Sequence, residues 1–136
     1  MYAFIQAVAA AAGCTSDAPP SCVAVDPGCA PLYAPTFDNV YAMTLQPTCG
    51  AGSTSCHSAD GHMGGLVLDT KAHAYDALRA GRVVPSDPGC SKLIVRTSSP
   101  GASYQMPPGD PLREAERCAL LQWIAAGAPA GTALAP

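Results

Sequence analysis

The stretch Cys49-Gly-Ala-Gly-Ser-Thr-Ser-Cys56-His57 carries the residue types best suited to chemistry. Two thiols can form thioethers with the vinyl groups of a haem, and a histidine beside one of them can reach the iron. The shortest arrangement that does this is C-x-x-C-H, a specific signal. Here six residues separate the thiols. They are small, so the insert can loop out and leave Cys49 near a second vinyl group, or close a Cys49–Cys56 disulfide. Cys56 is the firmer thioether donor because it abuts His57. On the disulfide reading, His57 is an idle loop histidine. His62 is a lesser candidate ligand, and His73, in AHAYDAL, reads as a helix-surface residue.

The other five of the seven cysteines sort into a singleton and two pairs. Residues 3–13, AFIQAVAAAAG, have the apolar, small-residue layout of a signal peptide. Ala11-Ala12-Gly13-Cys14 fits the end of a bacterial lipoprotein box, which makes Cys14 a lipidation site. The competing reading is an apolar N-terminus with an unmodified Cys14. Cys22 and Cys29 share the Pro/Gly-rich segment PPSCVAVDPGCAP, which a local disulfide would pin. Cys90 and Cys118 fall on two candidate helices and could staple them. Six cysteines allow 15 pairings, so Cys22–Cys29 with Cys90–Cys118 is one expectation among several. Such cysteine usage suits an oxidising compartment, and the chain is expected to be exported, periplasmic or membrane-anchored through Cys14.

The remaining composition bounds the fold. A chain of 136 residues suits one domain. Thirteen Gly, fourteen Pro and only 12 % charged residues favour short helices joined by tight turns. Two Phe and one Trp make a thin aromatic core, which a bulky cofactor or disulfides could supplement. All seven Lys and Arg lie from Lys71 onward. They form no dense basic face, so nucleic acid is not expected as a partner. Some of these bases, Arg82 and Arg96 among them, could pair with haem propionates.

Hydrophobic spacing then places the helices. Phe37, Val40, Tyr41 and Leu45 recur at helical intervals; Thr36 can cap this helix, and Pro47 ends the pattern near residue 45. Asp69 or Thr70 can cap a second helix running to about Ala80, with Ala72, Tyr75 and Leu78 on one face. Asp87 and Pro88 suit the start of a third, with Leu93, Ile94 and Val95 on its apolar side. Residues 114–126 form the strongest helix, with Glu114 and Glu116 at its positive end. Leu120, Leu121 and Ile124 face the core there, and Trp123 covers the seam. SSPGASYQMPPGDP is too rich in turn residues for a regular element. The organisation reads as a signal-like segment over 1–14, a disulfide-pinned linker over 15–32, a domain over 33–129 and a tail over 130–136.

The order of these segments carries a resemblance. Gly64-Gly65-Leu66, Pro85-Ser86-Asp87-Pro88, Met106-Pro107-Pro108 and Trp123-Ile124 follow Cys56-His57 downstream. In this they resemble the short cytochrome c module of exported planctomycete and myxobacterial proteins, over roughly residues 33–129. The resemblance implies an all-α, class I cytochrome c-like fold of about four short helices with long Gly/Pro-rich loops. It also implies covalently attached haem c, with iron between His57 and Met106 and thioethers to Cys56 and Cys49. The competing reading of Met106 alone is a core-filling methionine. The chain departs from the pattern in its six-residue spacer and at Arg113, where a Ser cap is usual.

The resulting expectation is a monomeric, monohaem electron carrier that meets redox partner proteins and is not an enzyme. A haem-free, disulfide-stapled structural or binding module on a lipoprotein is the alternative. A haem sensor or peroxidase-like enzyme would require Met106 to dissociate beside a distal polar base, and none stands out.

Overall fold

Why the helices fall where they do is visible in their caps. The computed structural model describes residues 18–50 and 56–131. The expected signal and lipidation segment with Cys14, the spacer residues 51–55 and the last five residues of the tail lie outside them. Among the described residues there are helices and turns and no strand. Helix α1, Phe37–Val40, begins where the Thr36 hydroxyl accepts the Asn39 N–H. Helix α2, Lys71–Arg79, begins where Thr70 does the same for His73. Each cap satisfies a backbone donor that has no partner within the helix. Helix α3 is Lys92–Thr97, and helix α4 is Glu114–Ala125.

Three expectations change. Pro47 does not end the first helix. Beyond Val40 the chain continues as π-helix over Tyr41–Gly50 with Pro47 inside it. The wider turn shifts the hydrogen-bond pattern from the α repeat, so a proline no longer breaks an α-helical ladder there. Asp87 does not cap α3. Its carboxylate accepts the Cys90 N–H instead, and the buried Ser91 hydroxyl accepts the Val84 N–H, holding residues 84–91 as a turn ahead of the helix. Ala72 is exposed, whereas Ala74 and Leu78 are buried, because the buried stripe of α2 runs one position further round.

Arg113 supplies no cap oxygen, and α4 compensates from the other side. Glu116 reaches back to accept the Arg113 backbone N–H and pairs with its guanidinium at 3.2 Å. That is the carboxylate half of a capping box, with an ion pair added.

The core is organised around Phe37. Its ring centroid lies 5.1 Å from those of both Tyr75 and Trp123. Three helices therefore meet at one aromatic cluster, in the offset and edge arrangements that ring quadrupoles favour. Trp123, expected at a seam, is completely buried. Its Nε1–H donates to the Pro129 carbonyl at 2.9 Å, so the buried indole has no unpaired polar atom. Tyr75 donates to the Ala128 carbonyl, which fastens the chain just beyond α4.

The disulfides are not the expected local ones. Cys22 pairs with Cys90 and Cys29 with Cys118, in place of Cys22–Cys29 and Cys90–Cys118. The reason is where the Pro/Gly-rich segment lies. It runs as an extended strap, with Val23 N–H bonded to Gly89 O, Leu32 N–H to Ala115 O, and Gln122 donating to the carbonyls of Pro27 and Cys29. Each strap cysteine meets the cysteine beneath it, and loops of 68 and 89 residues are closed.

Candidate functional site

His57 sits in a turn whose ends are tied together. Met63 N–H bonds to the Cys56 carbonyl at 2.8 Å, and Leu68 N–H to the His57 carbonyl at 2.7 Å. Between them Gly64 and Gly65 both adopt positive φ, 63° and 68°, where an L side chain would clash. The glycine pair lets the chain reverse and bring Leu66 back beneath the imidazole. The Leu66 carbonyl oxygen then lies 3.3 Å from His57 Nδ1. A carbonyl can only accept, so in the neutral ring Nδ1 carries the proton and the lone pair lies on Nε2. That is the tautomer and the anchoring that an iron-binding histidine needs.

Met106 lies on the turn-rich segment between α3 and α4. Its backbone N–H donates to the Arg96 carbonyl at 3.0 Å, which hangs the residue from the end of α3. His57 and Met106, separate in sequence, border one cavity of about 440 Å³. This volume lies within the ordinary range of ligand sites. Leu45, Leu66, Leu68, Leu78, Leu112 and Leu120 line much of the wall. Arg82, Lys92 and Arg96 also border it, and among the described residues no carboxylate does.

The two thiols are placed differently. Cys49 lines the cavity, half-buried at the end of the π-helix. Burial, and then the neighbouring Cys56, pushes its thiol up to about 11. Cys56 is exposed and is not part of the wall, though His57 beside it is. Gly50 explains why Cys49 can come so close. A Cβ at Gly50 would lie 2.2 Å from the Leu68 carbonyl oxygen, so only glycine lets the helix end pack against the Leu66–Leu68 segment.

His62 and His73 are exposed and stand off the cavity. His73 pairs with Asp69 at 2.8 Å, and this hydrogen bond lowers the Asp69 carboxyl below its usual range. Arg82 reaches the cavity while donating to the Gly64 carbonyl at 2.8 Å and to the carbonyls of Ala77 and Ala80. It thus ties the histidine turn to the end of α2. Sequence reasoning missed that tie, the Leu66 carbonyl and Lys92. Only Arg82 and Lys92 carried a sequence signal, as bases close to the Gly81 and Cys90 turns.

Among the described residues no group of three or more His, Cys, Asp or Glu side chains is gathered for a bare metal ion. A haem iron asks the protein only for axial donors. One imidazole and one thioether on a shared apolar cavity, with free thiols at 49 and 56, fit that requirement. No curated protein and no solved structure matches the chain. Residues 54–110 match the family model described as Planctomycete cytochrome C, a range that contains Cys56, His57 and Met106. Over those residues the chain is similar to a cytochrome c-like module of the planctomycete type.

Proposed function

We propose that this chain is a monohaem c-type electron-transfer protein of class I cytochrome c fold. His57 and Met106 would hold the haem iron, and Cys56 and Cys49 would be the thioether donors. The observation that carries this reading is the meeting of His57 and Met106 at one apolar cavity, with the His57 Nε2 left free by the Leu66 contact. When bound, the haem supplies the one-electron chemistry. The chain's own residues do the rest. His57 offers a nitrogen in fixed orientation. Met106 offers a thioether, which holds the reduction potential above that of a second histidine. The leucine walls keep water out, and Arg82, Lys92 and Arg96 favour the propionate carboxylates on their side. Were His57 and Met106 both to hold the iron, the site would favour electron transfer over binding of a substrate there. Export, lipidation at Cys14 and docking of redox partner proteins complete the proposal.

The test is a pyridine haemochrome spectrum of protein matured in a periplasm competent for cytochrome c assembly. Thioether-linked haem is expected, with a Met-ligation charge-transfer band that Met106→Ala abolishes. A colourless product with no added mass would sink the reading in favour of a haem-free, disulfide-stapled module. Lipidation is tested by membrane partitioning that Cys14→Ala loses.

A further inference from the structure

Met106 stands in a segment short of backbone donors, because Pro107, Pro108 and Pro111 have no N–H. A thioether makes no strong hydrogen bond of its own, and methionine has three rotatable side-chain bonds. The position of the sulfur therefore depends on what holds the surrounding backbone. The neighbouring side chain does this. Gln105 is 8 % exposed, and its amide bridges both flanks of Met106. Its Oε1 accepts the Gly101 N–H at 2.7 Å, and its Nε2 donates to the carbonyls of Pro107 and Gly109 at 2.8 Å each. One buried amide thus joins residues 101, 107 and 109, with both of its donors in use.

We infer that Gln105 is the positioning residue for the Met106 thioether, fixing the loop so that the sulfur is held at the cavity. This rests on the His/Met haem reading above. With the clamp intact, the loop populates the ligating arrangement; without it, the same methionine competes less well against an external ligand.

The experiment is titration of the oxidised holoprotein with imidazole, which displaces methionine from haem iron. Gln105→Leu keeps similar bulk and removes all three bonds. Gln105→Glu keeps the acceptor for Gly101 and loses the donors. Three net hydrogen bonds predict an imidazole affinity raised about ten-fold or more in Gln105→Leu, with a smaller rise in Gln105→Glu. Haem content should stay that of the wild type, and the Met-ligation band should weaken. Should Gln105→Leu fail to fold, Gln105→Glu carries the test alone. Wild-type affinity and an unchanged band in a folded variant would overturn the inference while leaving the electron-carrier reading intact. A wild type in which Met106→Ala alters neither band nor affinity would overturn both.

Discussion

His57 Nδ1 and the Leu66 carbonyl oxygen face each other at 3.3 Å, so a backbone group nine positions downstream decides which ring nitrogen is available. The haem-free protein should therefore already hold His57 as the Nδ1–H tautomer. Long-range proton–nitrogen correlation spectra at neutral pH check this. A neutral ring protonated at Nε2 would show that the Gly64-Gly65 turn does not orient the imidazole.

The two free thiols should differ in reactivity. The thiolate is the nucleophile, and burial pushes the Cys49 thiol up to about 11. In protein prepared without haem, iodoacetamide at neutral pH should label the exposed Cys56 well ahead of Cys49. Labelling of Cys49 should accelerate as pH rises towards that value. Timed alkylation read by peptide mass spectrometry separates them; equal rates at neutral pH would mean that the cavity wall is open at Cys49.

Peptide mapping without reductant should recover Cys22 joined to Cys90 and Cys29 joined to Cys118. A Cys22–Cys29 peptide would contradict the strap. Replacing Cys29 and Cys118 together by Ala should cost about 2–4 kcal/mol in denaturant unfolding, since a long loop is then left open in the unfolded chain.

Gly50→Ala puts a methyl group where the Leu68 carbonyl already is, at 2.2 Å. Backbone must shift, with a loss of about 1–3 kcal/mol. Because Leu68 also bonds the His57 carbonyl, the variant should retain less haem as well as melt at a lower temperature. Gly81→Ala makes a contrast for stability alone: its Cβ meets nothing within 4 Å, its positive φ would cost about 1 kcal/mol, and its place on the cavity wall excludes it as a control for haem content.

The Arg113–Glu116 pair predicts an acid limb in stability. Its hydrogen bonds, foremost from Arg113, lower the Glu116 carboxyl below the ordinary 4.5. A depressed folded value means that the contribution is fully present above that ordinary value and is lost as pH falls through the depressed one. The Arg113 side chain is largely exposed, so solvent screening keeps the effect small. Glu116→Gln should flatten the limb in unfolding measurements on the acid side of the ordinary 4.5; an unchanged slope there would assign it to other carboxylates.

Local physics wrote much of this protein into its sequence. The bounds of α2 and α4, the caps at Thr36 and Thr70, and the core roles of Phe37, Val40, Leu120 and Ile124 follow from spacing and cap chemistry, which act over a few residues. Cys56-His57 and Met106 stood out by residue type and order, and the family match over 54–110 includes both. Tertiary structure alone decided the rest. The disulfide partners depend on where the strap lies against Gly89 and Ala115, a non-local placement that cysteine spacing does not encode. Pro47 reads as a helix stop until the wider turn around it is seen. His57 and Met106 border one cavity only because the Gly64-Gly65 turn and the Gln105 clamp bring two distant loops to it. Hydrogen bonds to backbone carbonyls do that work, and every residue has a carbonyl, so no residue type announces them.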